Sequence, residues 1–319
     1  MTRNHLILAH LTDDEFLADY WQKKPLLIRN AIPDFVPPIN GDDLAGLSLK
    51  PEVESRLIIG DNYQLEHGPF DEGRFQALPS NNWTLLVQAV DLWVPEVAKL
   101  REYFSFLPAW RIDDIMVSYA EDGGNVGAHK DNYDVFLLQG HGRRRWQICE
   151  SHAGEATLKA ATSLKLLDNF IATDEWVLNP GDMLYLPPKI AHHGVALGEC
   201  TTFSIGFRAP SSTEMLDDLA TELLSRDLLP RHLTDPPLTA KQSAQPISKE
   251  YIGQIKTLLL DLLDDDQTLG EWFTQFMTQP KYPSLVEMTE EKRVAVLENQ
   301  SVQGTGPSYT RFINGQKVD

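Results

Sequence analysis

Cysteine is nearly missing from this chain, with Cys149 and Cys200 the only two in 319 residues. Two thiols supply neither a disulfide framework nor a cysteine-rich zinc site, and their scarcity fits a reducing cytosol. Long apolar runs are absent too, since no stretch approaches the roughly 18 residues that a membrane-crossing helix needs. The start, Met1 to Phe16, mixes His, Arg and a Thr-Asp-Asp-Glu run and lacks the basic, apolar and small-residue order of a secretory signal. Positive charge is scarce, with 28 Lys and Arg against 46 Asp and Glu and a formal net charge of −18. Such a surface repels nucleic-acid phosphates and favours basic partners. These absences predict a cytoplasmic protein with no membrane association and no direct nucleic-acid ligand. Neither an internal repeat nor a low-complexity tract is visible.

What is present suffices for a sizeable core: 42% of residues are apolar and 9% aromatic. The length predicts a main domain with appendages. Thr12 and the acids behind it open an amphipathic helix over 12–24, stopped by Pro25. Leu26-Leu27-Ile28 reads as a buried strand, Asp42–Leu47 as a short helix, and 52–69 as short strands and turns. Between Asn82 and Tyr103 the spacing of Leu85, Leu86, Ala89, Val90, Trp93 and Val97 predicts a long helix.

From Trp110 to Arg208 the texture becomes short β-rich runs separated by Gly, Pro and Asp. The strand candidates are Ile112–Tyr119, Asp134–Leu138, Arg145–Cys149, Glu175–Leu178, Met183–Leu186 and Thr201–Arg208. Many short strands with such turns predict a mainly β core of the jelly-roll kind, flanked by helices. After Pro210, Ser211-x-x-Glu214 is a capping box opening a helix to about Leu228, and Leu229–Pro246 is a Pro-rich linker. Helices follow over Ser248–Asp264 and from a Thr268-x-x-Glu271 cap, forming either a packed subdomain or a self-association surface. A helix near Thr289–Glu298, a strand over Ser308–Ile313 and an Asn314-Gly315 hairpin turn close the chain. Only four residues remain for the returning strand, which suggests a trimmed end.

The chemistry concentrates in the β region. His129 and Asp131 sit at i and i+2 of an extended segment, so both side chains reach the same face and can grip one ion, while Lys130 points away. Gly123-Gly124-Asn125-Val126-Gly127 leads into them. With no Lys-Ser/Thr behind it, this is a geometric device for a crowded site and a poor phosphate loop. Pro187-Pro188 bends the chain towards His192 and His193, and spacing alone leaves open which of the two meets the metal. Two histidines and one carboxylate suit a mononuclear iron(II) site with open coordination positions. In Arg143-Arg144-Arg145 alternation puts Arg144 opposite its neighbours. The three arginines are either a solvated patch or a device for pointing Arg144 inward, where it would need an anion such as a dicarboxylate. Thr202, Ser204, Gly206 and Arg208 share one face, which either lines a ligand cavity or faces out. Asp114, Met116 and Ser118 share a face of the first barrel strand, where Asp114 could meet a cationic substrate.

These motifs together resemble a known family. Leu107-Pro-x-Trp-Arg-Ile-Asp-Asp-x-Met116, Gly123-Gly-x-Val-Gly-x-His129-x-Asp131-x-Tyr-Asp-Val-Phe136 and Gln139-Gly-x-Gly-Arg-Arg-Arg-Trp146 look like the bacterial ribosomal oxygenases. These are JmjC-type, cupin-fold hydroxylases dependent on iron(II) and 2-oxoglutarate. Pro180-Gly-Asp182, Pro187-Pro-x-x-x-His192 and Gly206-Phe-Arg-Ala-Pro210 continue the likeness, as do Tyr20-Trp-Gln-Lys-Lys-Pro25, His67-Gly-Pro-Phe70 and Leu85-Leu-Val-Gln-Ala-Val90.

The resemblance implies a double-stranded β-helix core, His129, Asp131 and His192 as iron ligands, and Arg144 on the distal carboxylate of 2-oxoglutarate. From the reading of the residues themselves, and apart from the resemblance, Thr202 and Ser204 are candidates to assist the cosubstrate, and Asp114, Met116, Ser118 and Tyr133 candidates to meet the substrate. The resemblance implies an N-terminal α/β region over 1–90, a catalytic domain over 91–210, dimerising helices over 211–280 and a partial winged-helix module over 281–319. It also implies a homodimer and a basic substrate, an arginine of large-subunit ribosomal protein L-sixteen, with histidine as the alternative target. O2 and 2-oxoglutarate would be consumed, with oxidative decarboxylation to succinate and CO2 driving hydrogen abstraction at the target's β-carbon. The rival readings are a metal-binding cupin of other activity, a non-catalytic ribosome-binding module, and a demethylase using the same iron chemistry.

Overall fold

The computed structural model describes residues 7–150, 164–226, 232–237, 247–282, 303–306 and 310–318. The chain divides into two compact units, Met1–Ala209 with Lys281–Gln300, and Pro210–Pro280 with Ser301–Asp319.

In the first unit α1 (Asp13–Asp19) is opened by a reciprocal cap: Glu15 N donates to Thr12 Oγ1 and Thr12 N donates to the Glu15 carboxylate. There follow β1 (Leu26–Ile28), α2 (Gly41–Ser48), β2 (Ser55–Ile59), β3 (Gln64–His67), α3 (Glu72–Gln76), β4 (Trp83–Val87), α4 (Val90–Trp93) and α5 (Pro95–Ala98). Two 3-10 turns, Lys99–Phe104 and Ala109–Arg111, lead into the strands of the core. These are β5 (Ile112–Ala120), β6 (His129–Lys130), β7 (Val135–Gln139), β8 (Arg143–Cys149), β9 (Asp174–Leu178), β10 (Met183–Leu186), β11 (Ala191–Leu197) and β12 (Cys200–Phe207). All six strands expected between Ile112 and Arg208 are present, within two residues of their expected limits.

Every pairing in this unit is antiparallel. One sheet runs β1-β10-β7-β12-β5-β4-β2-β3 and the other β6-β11-β8-β9. Period-2 alternation gives the larger sheet two buried faces. On one, Ile115, Val117, Phe136, Tyr185, Phe203, Ile205 and Phe207 pack with Phe16 of α1 and with Phe104. Aromatic edges knit this layer: Phe16 and Tyr185 have ring centroids 5.0 Å apart, Phe104 and Phe136 4.9 Å. On the other face Val135, Leu137, Leu184 and Leu186 meet Trp146, Ile148 and Leu178 of the smaller sheet. Two sheets closed on each other in this way are the jelly-roll core that the composition of 110–208 predicts.

Residues 82–103 depart from expectation. The segment is not one helix: Trp83–Val87 is β4, pairing with both β2 and β5, and short helices follow. A strand buried on both faces carries a continuous apolar run, and periodicity alone cannot distinguish that from a buried helix. Ala89 at φ 50° and Pro95 then break the chain direction. Residues 26–87 thereby give four strands to the larger sheet, so the N-terminal region is built into the core sheet as well as packed on it.

In the second unit the helices are α6 (Ser212–Ser225), α7 (Lys249–Leu260) and α8 (Asp266–Thr278). The Ser211–Glu214 capping box is made. Asp265 caps α8 instead of Thr268, whose hydroxyl donates to Asp265 Oδ2. Trp272 Nε1 donates to Asp218 Oδ1 at 2.7 Å, tying α8 to α6. A three-stranded sheet of β13 (Gln303–Thr305), β14 (Arg311–Ile313) and β15 (Gln316–Val318) completes the unit. Asn314 and Gly315 both take positive φ at its hairpin, as the expected tight turn requires. The helix expected near Thr289–Glu298, most of 229–246 and Ser308 lie outside the described residues. No described helix is long and apolar enough to cross a membrane.

Candidate metal centre

β6 and β11 place His129 and His192 directly opposite each other in register. Opposite residues on one face of an antiparallel pair have Cβ atoms about 5 Å apart, and the two imidazole centroids are 4.3 Å apart. Asp131 follows two residues after His129 and turns to the same side. Its Oδ1 is 3.9 Å from His129 Nε2 and its Oδ2 is 3.6 Å from His192 Nε2. Donor atoms spaced by about 3–4 Å can share one ion through bonds of about 2.1 Å. His129, Asp131 and His192 are the three-ligand group found among the described residues.

The imidazoles are held in the tautomer that binding needs. His129 Nδ1 donates to the Gly127 carbonyl at 2.9 Å and His192 Nδ1 to the Ile190 carbonyl at 3.1 Å. Each contact directs the Nε2 lone pair towards Asp131. Burial, reinforced by the neighbouring His129, pushes His192 well below the usual imidazole range and keeps it neutral. The preceding loop is built for this: Gly127 has φ 80°, and a Cβ there would stand 2.6 Å from Leu166. His193 faces the other way, half-buried against Phe170 with Nε2 3.1 Å from Asn125 Oδ1. The ambiguity between the histidines thus resolves to His192, although His193 is not the exposed neighbour expected.

The triad opens into a cavity of about 370 Å³. All ten side chains singled out from the sequence border it. Arg144 points inward from β8, 3% exposed, while Arg143 is exposed and Arg145 half-buried. Its Nη2 reaches only Cys200 Sγ, at 3.6 Å, and its Nε lacks a partner. Among the described residues no carboxylate pairs with this buried charge. Trp146, two residues along the same face, bridges Arg144 and His192, with its ring 5.7 Å from the guanidinium carbon and 5.9 Å from the imidazole. Gly194 sits opposite Trp146 in register, where a Cβ would lie 2.6 Å from the indole. The face of β12 left open from sequence turns inward at Thr202, Ser204 and Gly206, beside the face of β5 that carries Asp114, Met116 and Ser118. Thr202 pairs with Ser118, Ser204 with Met116 and Gly206 with Asp114, so Met116 is the one large apolar side chain among these six.

The opposite end is acidic but not bare. Asp114 accepts from Gln88 Nε2 at 2.7 Å and from Ala89 N at 3.0 Å, and its Oδ2 lies 3.1 Å from Lys281 Nζ. Asp113 binds the same ammonium at 2.6 Å and Arg208 Nε at 3.4 Å. Burial pushes the Asp114 carboxyl above the usual range, and Lys281 draws it back only in part. Burial works against the charge of Lys281, but Asp114 and Asp113 together outweigh it and hold the ammonium above its ordinary value. Sequence reading missed Gln88, Asp113 and Lys281. Gln88 was hidden in a segment read as helix, and Lys281 stands far away in the chain with no local motif.

Comparison with known proteins agrees with this arrangement. Residues 99–215 match the JmjC domain family. The chain is 37% identical over 270 residues to the ribosomal protein uL16 3-hydroxylase of Escherichia coli K12, covering 84% of this chain and 72% of that protein. The chain belongs to the ribosomal oxygenases. As a member of that family it also superimposes on the X-ray structure of Escherichia coli YcfD with a TM-score of 0.83 at 32% identity, over 97% of this chain and 86% of that one. A structure of the same bacterial oxygenase in complex with cobalt and 2-oxoglutarate matches at a TM-score of 0.80, 33% identity and the same coverage.

Proposed function

We propose that this oxygenase is an iron(II)- and 2-oxoglutarate-dependent hydroxylase acting on an arginine of the large-subunit ribosomal protein uL16 (L-sixteen). The observation that carries the cosubstrate is Arg144, a buried guanidinium that has no carboxylate partner among the described residues and lies in the same cavity as the triad. A buried charge left unpaired is costly, and a bidentate carboxylate is its natural complement. Thr202 and Ser204 stand beside it as hydrogen-bonding groups. The donor set of two imidazoles and a carboxylate fits iron(II), leaving positions for a keto acid and O2. Bound there, iron and 2-oxoglutarate would supply the oxidising power for hydroxylation, with release of succinate and CO2. The chain's own residues hold the metal through His129, Asp131 and His192, anchor the diacid through Arg144, and dry the reaction space with Trp146, Val135 and Leu137.

The substrate assignment rests on the relative that bears the uL16 hydroxylase name and on the acidic end of the cavity. Asp113, Asp114 and Tyr133 line it, with Met116 and Ser118 along the approach. An acidic enzyme meeting a basic ribosomal protein also gains from long-range attraction. We further propose that α6 and α7 form a homodimer contact, since they expose Leu216, Leu224, Ile252, Leu259 and Leu260. Residues 281–319 would be a partial winged-helix module, 211–280 the dimerising helices, and the site of action the cytoplasm, where ribosomes are.

The test is intact-mass analysis of uL16 after incubation with the iron-loaded chain, 2-oxoglutarate and O2. Gain of one oxygen atom on an arginine, dependent on 2-oxoglutarate, is expected. Modification of a histidine would move the target, and no succinate at all would leave a metal-binding cupin of other activity.

A further inference from the structure

Lys281 fills the acidic end of the cavity. Its Nζ lies 2.6 Å from Asp113 Oδ2 and 3.1 Å from Asp114 Oδ2, and all three side chains line the cavity that holds the triad. We propose that Lys281 is a built-in competitor for the substrate's cationic side chain, one that a guanidinium displaces and an ammonium does not. This rests on the proposed reading of a cationic protein substrate and adds to it the discrimination between arginine and lysine.

Charge balance makes the exchange necessary. Asp113 and Asp114 form the acidic end of the cavity, where Arg208 pairs with Asp113 and Lys281 with both; behind them Asp91 is fully buried and paired with Arg101. Three carboxylates already face three cations. Arg56 stands one step further off, donating to Gln88 Oε1, whose amide donates to Asp114. A further cation therefore enters favourably only if one present leaves. Lys281 is the most accessible of the three, at 27% side-chain exposure against 19% for Arg101 and 13% for Arg208. It is also a single point charge on a flexible stem, whereas a guanidinium offers a planar fork to the same oxygens. Asp114 stays in place after the exchange, because Gln88 and the Ala89 amide hold it independently. A substrate lysine would swap one ammonium for another and gain nothing.

The experiment compares the full-length wild-type chain with Lys281→Met, Lys281→Gln and Lys281→Arg, all loaded with iron and 2-oxoglutarate. Two uL16 peptides are used, one with the target arginine and one with lysine in its place. Lys281→Met is expected to lower KM for the arginine peptide about fivefold with kcat unchanged, the effect of about 1 kcal/mol. Binding of the lysine peptide should improve by more. Lys281→Arg should raise KM, because a tethered guanidinium competes better. If Lys281 only braces the acidic end, Met and Gln would both raise KM or lower kcat, and the proposal fails. Lys281→Gln keeps hydrogen-bond donors and serves should the Met variant not fold. If the wild-type chain hydroxylates neither peptide, the substrate reading itself falls and takes this proposal with it.

Discussion

The two ends of the cavity carry opposite electrostatic conditions. At one end Arg144 is a buried cation with no carboxylate partner among the described residues. At the other, Asp113 and Asp114 are carboxylates already matched by Lys281 and Arg208. An end left uncompensated gains the full value of the first suitable ion it meets, while a compensated end releases only the difference between two partners. The structure thus suits a small diacid that binds first and tightly, and a macromolecule that is discriminated by exchange.

That contrast can be broken from either side. The largest effect is expected between the ends. Asp131→Ala removes the only carboxylate of the triad and should weaken cobalt(II) binding by more than about a hundredfold and abolish turnover, as read by metal titration and succinate release. Next, Arg144→Ala should raise KM for 2-oxoglutarate by roughly two orders of magnitude, since a charged, buried hydrogen bond is lost. Arg144→Lys should restore only part of it. Arg144→Met sharpens the test: without cosubstrate its Tm should rise above wild type, because an uncompensated buried charge has been replaced by an apolar chain. A fall in Tm would mean that the guanidinium has a partner in the free protein.

A third change addresses the scaffold behind the site. Asp182, in the turn before β10, accepts from Asn30 N at 2.8 Å, Asn179 N at 3.0 Å and Arg29 Nη1 at 2.7 Å. Asp182→Ala should cost about 2 kcal/mol of stability by denaturant unfolding. Burial alone would raise this carboxyl, but the two backbone donors and Arg29 outweigh it and hold it below its ordinary value. A depressed folded value means the contribution is present above the unfolded pKa of about 4 and is lost as pH falls through the folded one. The variant should therefore differ from wild type at neutral pH and converge with it in acid. The smallest effect is expected for Tyr133→Phe, about threefold in KM for the peptide with KM for 2-oxoglutarate unchanged.

Much of the β core was legible because turn residues bracket short β-branched and aromatic runs from Ile112 to Phe207. The candidate ligands were legible for a related reason: His129 and Asp131 obey the period of a strand. β11 was harder to see. His192 and His193 follow Pro187-Pro188, and Ala, Gly and Val around them give no alternating pattern, so its pairing with β8 and β6 emerges only in three dimensions. The inward turn of Thr202 and Ser204 was undecided for the same reason, since one strand cannot say which of its faces another sheet will cover. Arg144 was readable from alternation, but the absence of a carboxylate partner among the described residues was not. Lys281 shows the limit most clearly: its meaning lies in a pair of carboxylates on β5, and nothing adjacent in the chain announces them.

The cross-strand register of His129 and His192 has one more consequence. The second imidazole comes from β11, which pairs with β6 on one side and with β8 on the other. An ion held by the triad would therefore depend on strands distant in the chain being paired, and a partly organised polypeptide would hold it poorly. On progressive denaturation, release of the ion should coincide with the loss of sheet-to-sheet packing around Trp146 instead of preceding it.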